Sequence, residues 1–367
     1  MNWFIFLPIW CGIVALYSNY IKVKKIEMVL GKNVIRHSLV NAIVAFLPIF
    51  ILASLGDPIA DTHSYLYAFD IQSTNFHDID FNEKDWGFDI FSLIIKNIFD
   101  SQIAFRVAIA LVHSIPIVFM FRKFSESYEL SLFLFVASGI YLSWMMNGLS
   151  QFMAVTIIFA STPLLLNKKY FKLFLIILIA CTIHQSAIIM FPIMLIARGK
   201  PFNKLTMLFI FAAIIAMWAF SEFTDLFETA VHNTQYGDGY DTIKEIDDGT
   251  NPIRVLVSSV PAVFAFIYRD KIIEENNILY NICVNMSIIT VGVGLVSIVT
   301  SGIYIGRLII YTQIFSFILL PKLLNYIENI KSKHIIYFIM IIAYLFYYKI
   351  NIGKFWYFNI NIFGGLS

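Results

Sequence analysis

The sequence predicts an all-α, polytopic integral membrane protein with about 11–12 transmembrane helices. Three observations predict it. Of the 367 residues, 59% are hydrophobic and only 14% are charged, and the mean hydropathy is +0.77. A soluble domain carries about 25% charged residues. Apolar runs recur near the roughly 20 residues that cross a bilayer, without the alternation in roughly 10-residue segments of a membrane β-barrel. Finally, the charges are sorted. Of the 26 basic residues, 18 lie in short alternate connections, from Lys22–Arg36 through Arg122–Lys123, Lys168–Lys172, Arg198–Lys204 and Arg269–Lys271 to Lys322–Lys333. Two long connections, Gly56–Gln102 and Ser221–Pro252, hold 17 of the 24 acidic residues. Short basic loops stay cytoplasmic, so the long acidic loops face outside.

In order, the expected membrane segments are as follows. Asn2–Tyr20 has no basic n-region and no small-residue cleavage site, so it reads as a retained helix rather than a signal peptide. Arg36–Leu55 follows the first basic connection. Between Gly56 and Gln102 runs the first outer loop, in which Phe88–Phe99 is apolar but too short to span and reads as an interfacial or re-entrant helix. Ile103–Phe121, Leu130–Met146 and Leu149–Leu166 come next. Phe171–Ala197 is long and has basic residues at both flanks, which a single crossing would place on opposite sides. A hairpin of two short legs with its tip near His184 satisfies the charge rule, provided other helices shield the tip. Both chain termini then lie outside. Leu205–Phe220 precedes the second outer loop, 221–252, which is long for a structureless connection. Ile253–Tyr268, Ile278–Val299, Arg307–Leu324 and His334–Ile350 complete one membrane domain over residues 1–367. Cys11, Cys181 and Cys283 all lie in apolar segments and read as packing residues. The basic residues are topology signals, so no nucleic-acid partner is expected.

Five polar sites stand at the expected outer ends. Asp57-Pro58-Ile59-Ala60-Asp61-Thr62-His63-Ser64-Tyr65 sets two carboxylates beside a histidine, enough to position a hydroxyl or accept a proton; it also reads as a solvated helix start capped by Asp61. Asn147-Gly148-Leu149-Ser150-Gln151 reads as a tight turn of residues that tolerate left-handed angles, but Gln151 in the first turn of a membrane helix wants a partner. Thr182-Ile183-His184-Gln185-Ser186-Ala187 places a histidine in an apolar stretch, costly unless it meets a cavity or a partner. Histidine also titrates near neutrality, as a general base should. Asn251-Pro252-Ile253-Arg254 and Gly306-Arg307, with Tyr311 one turn on, put two arginines on the side that the charge rule disfavours. Guanidinium forks bind phosphate oxygens bidentately, whereas a lone arginine snorkels to the interface. Zinc, Walker and nucleophile-elbow patterns are absent, and no cofactor is expected.

The order and spacing of these motifs resemble the EpsG/Wzy-type polysaccharide polymerases (O-antigen or exopolysaccharide). Their Asp-Thr-x-x-Tyr matches Asp61-Thr62 and Tyr65. Their Glu-x-Gly-Phe-like element matches Asp85-Trp86-Gly87-Phe88, with Glu83 nearby. Asn-Gly-x-Arg-Gln matches Asn147–Gln151 except at Ser150. His-x-Ser-Ala matches His184, Ser186 and Ala187; Asn-Pro-x-Arg matches Asn251, Pro252 and Arg254; and Arg-x-x-x-Tyr matches Arg307 and Tyr311. The resemblance runs from about Asp57 to Pro321. Ser150 in place of arginine, Asp85 in place of glutamate and the lack of an arginine before Asp61 are departures, and they leave Arg254 and Arg307 as the cationic candidates, with Arg106 third.

The resemblance implies a GT-C-like glycosyltransferase, multi-pass in the bacterial cytoplasmic (inner) membrane, with its active site facing the periplasm or outside. Its substrate would be undecaprenyl-pyrophosphate-linked oligosaccharide, held among membrane lipid. A chain-length regulator and a flippase are the expected partner proteins. Arg254 and Arg307 would stabilise the departing pyrophosphate. His184, or after it Asp61, would act as base or orienter for the acceptor hydroxyl. Asp57, His63, Tyr65, Asn147, Gln151 and Tyr311 would contact the sugars. No metal is required on this reading, because the arginines take the place of a divalent cation. An O-antigen-type ligase is the alternative within the class; a transporter or flippase of the lipid-linked unit is the alternative outside it. For the hairpin, a Gly199→Cys protein should resist labelling by a membrane-impermeant thiol reagent applied outside. Ready labelling there would make Phe171–Ala197 one crossing.

Overall fold

The structure is a computed structural model and describes residues 3–20, 24–29, 32–219, 229 and 249–352. The second outer loop expected over 221–252 therefore lies, apart from residue 229 and its last four residues, outside the described residues.

The chain begins with α1 (Trp3–Tyr20), then an antiparallel ribbon of β1 (Lys24–Val29) and β2 (Lys32–His37), with Lys24 opposite His37. The ribbon was not foreseen. The expected helix from Arg36 instead starts at α2 (Leu39–Leu55), where Ser38 is the N-cap and its hydroxyl accepts from the Asn41 amide at 3.2 Å. There follow α3 (Thr62–Ile71), α4 (Trp86–Phe99), α5 (Gln102–Phe124), α6 (Tyr128–Ala137), α7 (Ile140–Met146), α8 (Leu149–Ala160), α9 (Thr162–Leu166) and α10 (Tyr170–Ile183). A 3₁₀ turn, Gln185–Ile189, leads to α11 (Met190–Ala197) and α12 (Lys204–Trp218). Last come α13 (Pro252–Ile267), α14 (Arg269–Glu275), α15 (Ile278–Val299), α16 (Ile310–Gln313), α17 (Ser316–Leu323) and α18 (Ile330–Ile352).

Among the described residues, four helices are long and apolar enough to cross a membrane: α5, α8 with α9, α15 and α18. Counting each of three bent pairs as one span raises the number to seven. These are α6 with α7 (74°), α13 with α14 (70°), and Gly306–Gln313 with Ser316–Tyr326 (53°). Five further apolar helices have 10–17 residues. The all-α, polytopic class follows directly. Large apolar side chains such as Phe338, Phe346, Leu208 and Phe211 point outward, as a lipid-facing surface requires and a water-soluble one avoids.

The described residues form two compact units, those within 1–164, 169–188 and 327–352 and those within 165–168 and 189–326. In the first, α5 packs between α2 and α8, α8 meets α10, and α1 lies on α6. Its interior is aromatic. Phe121 meets Phe135 and Phe159 edge-on, both with centroids 6.0 Å apart. At one end, two basic connections are bound together. Arg36 donates to the Lys123 carbonyl (3.0 Å), Arg122 to the His37 carbonyl (2.8 Å), and His37 pairs with Glu129 (2.6 Å). These are two loops that the charge rule had placed on the same side.

In the second unit, α12 and α13 pack on α15. The fully buried Asn285 of α15 is a clasp. Its amide donates to the carbonyls of Ala197 (2.9 Å) and Lys200 (3.0 Å), and its oxygen accepts from the Phe202 amide (3.0 Å). Leucine at this position would strip three bonds from one connection. Asn285→Leu is therefore expected to destabilise the protein by about 1–3 kcal/mol, read as a lower thermal midpoint in detergent. An unchanged midpoint would show that the clasp contributes nothing.

Candidate functional site

In the first unit, the turn after α2 docks on the turn before α8. The Asp61 backbone N–H donates to Asn147 Oδ1 at 2.8 Å, and the Thr62 hydroxyl donates to the Met146 carbonyl. Tyr65, one helical turn further, shares a hydrogen bond with the Ser150 hydroxyl at 3.0 Å. The spacing of the Asp-Thr-x-x-Tyr motif thus lines up three contacts along one edge of α3. Ser150, the residue that departs from the resembled motif, is here the partner of Tyr65. The Asp61 carboxylate makes no cap bond and its residue is exposed, so the helix-cap reading is not realised. Neither Asn147 (φ −126°) nor Gly148 (φ −91°) adopts a left-handed angle. The turn is held by side-chain docking, not by backbone permissiveness.

Gln151 is 3% exposed, and its amide nitrogen donates to the Ser186 hydroxyl at 3.2 Å. Its oxygen is buried and has no hydrogen-bond partner among the described residues. His184 ends α10, buried, with Nδ1 2.8 Å from the Ser186 hydroxyl. The Ser186 backbone N–H also points at Nδ1, at 3.3 Å. A backbone N–H can only donate, so Nδ1 accepts, and the proton of the neutral ring sits on Nε2. Gln151, Ser186 and His184 form one hydrogen-bonded chain. In this tautomer the ring offers a donor at Nε2, whereas the sequence had suggested a base.

Asp85 joins the same turn. It precedes α4 with a left-handed φ of 61°, makes no cap bond, and accepts the Gln185 backbone N–H on Oδ1 at 2.9 Å. Gly87 permits this. A Cβ there would lie 2.2 Å from the Thr182 hydroxyl and 2.9 Å from its carbonyl carbon, so only glycine lets α4 approach α10 so closely. Asp85 also lines a cleft of about 540 Å³ with Tyr65, Gln72, Phe88, Asp89 and Ser150. Burial pushes its carboxyl up to about 6; the Gln185 N–H opposes the shift, the Asp89 charge adds to it and Lys84 opposes it. Sequence reasoning placed Asp85 in a motif but gave it no role. The available signal was a short carboxylate beside the glycine on which the helix contact depends.

Four of the six motifs therefore meet in this unit. His63 lies exposed on α3, and Asp57 is half-buried and interacts electrostatically with Arg106, which also donates to the Gly56 carbonyl. Arg106 is thus committed within the fold.

The other two motifs meet in the second unit. Asn251 caps α13, its side-chain oxygen accepting from the Ile253 amide at 2.9 Å, with Pro252 in the first turn. Arg254 follows, exposed, and Arg307 lies half-buried in the 3₁₀ turn Gly306–Ile309. The two turns touch. The Thr250 N–H donates to the Ser297 carbonyl (2.8 Å), and a Cβ on Gly306 would lie 2.4 Å from the Thr250 hydroxyl oxygen. That hydroxyl is buried without a hydrogen-bond partner among the described residues. Tyr311 is 1% exposed, so it has no open face for the sugar contact expected of it. The packing gives a reciprocal test. Gly306→Ala should cost about 1–3 kcal/mol by overpacking. Adding Thr250→Ala removes the clashing oxygen and should restore most of the thermal midpoint; two additive losses would refute the contact.

Among the described residues, no group of three or more His, Cys, Asp or Glu side chains is arranged to hold a metal ion. Neither a comparison with curated proteins nor one with solved structures finds a match. A family model does match, over residues 39–361, and it takes in all six motifs. The chain belongs to the EpsG family, and with it to the polysaccharide-polymerase type of membrane protein.

Proposed function

We propose that the protein is a glycosyltransferase that polymerises undecaprenyl-pyrophosphate-linked oligosaccharide repeat units into surface polysaccharide, on the outer face of the bacterial cytoplasmic membrane. The growing glycan moves from its pyrophosphate carrier to a hydroxyl of the next lipid-linked unit. Arg254 and Arg307 supply the positive charge that a departing pyrophosphate needs. This reading uses no metal, since the guanidinium groups do the work of a divalent cation. The Asp61, Tyr65, Asn147, Gln151 and His184 cluster contacts the saccharide.

One observation carries the reading: the Gln151–Ser186–His184 chain and its unmet amide oxygen. A buried acceptor without a donor costs about 1–3 kcal/mol. A sugar hydroxyl admitted beside Gln151 would supply that donor, while Ser186 and His184 continue the hydrogen-bonded chain. The chain is therefore of the kind that holds a polyol. The outward direction of the site rests on the sorting of basic and acidic loops.

The decisive experiment supplies purified protein in detergent with lipid-linked repeats. A ladder of lengthened glycans is expected. A flippase needs a sealed bilayer and would make none, and a ligase would make none without a separate acceptor. In the same assay Arg254→Ala and Arg307→Ala should each lower chain growth about 10²-fold or more, while the proteins still insert. Arg307→Lys should lose most of the activity, because an ammonium lacks the bidentate fork. Normal ladders from both alanine variants would remove the pyrophosphate role.

A further inference from the structure

We infer that Asp85 is the general base of the transfer, taking the proton of the acceptor hydroxyl as its oxygen attacks the anomeric carbon of the donor glycan. The inference rests on the polymerase reading above. In the step, a bond forms between the acceptor oxygen and the anomeric carbon. The bond from that carbon to the pyrophosphate oxygen breaks, and its electron pair leaves with the pyrophosphate. The hydroxyl proton passes to the Asp85 carboxylate and then to solvent. No other reactant enters.

The first support is position. Asp85 lines the cleft of about 540 Å³, a size within the range of small-molecule sites, roughly 300–1,000 Å³. Half-buried Tyr65 gives the same cleft an aromatic edge, backed by buried Phe69 and Phe88, and Gln72 gives it a hydrogen-bonding group. Such a mixture suits the apolar faces and hydroxyl rims of a sugar.

The second support is availability. A carboxylate at a helix start ordinarily accepts from the amides of its own helix. Asp85 makes no such bond. The one hydrogen bond that its side chain makes among the described residues is with the Gln185 N–H. Its left-handed backbone is uncommon for a residue other than glycine and persists only where the surroundings impose it. Two residues on, Gly87 packs so closely on Thr182 that a Cβ there would lie 2.2 Å from its hydroxyl, and Gln185 holds the carboxylate itself.

The third support is the competing groups. The Ser186 N–H on Nδ1 leaves the ring proton of His184 on Nε2, so neither ring nitrogen is an open proton acceptor. The Asp61 residue is exposed and lies outside the cleft wall.

Basicity agrees with the geometry. A carboxylate raised to about 6 is a better proton acceptor than an open one and is still ionised at neutral pH. The groups that face it are Tyr65 on α3, Asp89 on α4, Lys84 and Glu83 beside it, Asp78 and Asp80 on the cleft wall, and the His184–Gln185 turn. Because the base works ionised, the rate should be level above its titration point and fall about tenfold per pH unit below it.

The experiment follows chain growth by the purified full-length protein, given undecaprenyl-pyrophosphate-linked repeats in detergent, from about pH 5 to 8. The wild type should show an acid limb with its midpoint at about 6. Asp85→Asn keeps a side chain that tolerates the left-handed angle and can still accept from Gln185, so its thermal midpoint should hold. Its rate at neutral pH should fall about 10²–10⁴-fold, with the acid limb abolished and the binding of lipid-linked repeats little changed. Asp85→Glu should recover part of the rate, with its limb displaced. A wild-type rate and limb in Asp85→Asn would overturn the assignment, as would identical limb midpoints in the wild type and Asp85→Glu. If the wild type makes no ladder at any pH, it is the polymerase reading that falls instead.

Discussion

An amide or imidazole at the end of an apolar helix is stable only where it finds hydrogen-bond partners, because water is scarce there and an unmet group costs about 1–3 kcal/mol. Much of the first unit's polar end follows from that constraint. Gln151 lies in the opening turn of α8, buried; Ser186 takes its nitrogen and passes a hydrogen bond on to His184. Tyr65 is met by Ser150, and the backbone amide of Asp61 by Asn147. Each pairing ties one turn to another, so four separate sequence motifs become one hydrogen-bonded surface.

The two units divide the chemistry. In the first, carboxylates, amides and aromatic rings dominate, groups that hydrogen-bond hydroxyls and cover ring faces. In the second, the motif residues that carry charge are arginines, set on turns locked by Gly306 against Thr250 and by the Thr250 amide on Ser297.

Much of the fold was legible in the sequence because a bilayer leaves a simple mark. Apolar runs located α5, α8 with α9, α15 and α18, and the polar interruption at His184 marked the break between α10 and the turn that follows. The Arg36 and Arg122 loops meet at one end, as two loops expected on a common side should. The bends did not show. Hydropathy is blind to the direction of a helix axis, so Leu130–Met146 read as one segment although its two pieces turn by 74°. The ribbon of β1 and β2 was hidden because its lysines were read as topology signals. At the site, types and order were visible but environments were not. Tyr311 proved to be core, Ser150 had found a tyrosine, and Asp85 sits on a cleft and beside an amide that no local pattern encodes.

The turn around His184 also bears on how the protein is made. Three groups that it meets elsewhere in the fold, Asp85, Gln151 and the Gly87 edge of α4, precede it in the chain. A ribosome that delivers the polypeptide from the N-terminus therefore presents the receiving groups before the imidazole arrives. Vectorial insertion can therefore make these three contacts as soon as α10 emerges, which lowers the cost of carrying a histidine into lipid.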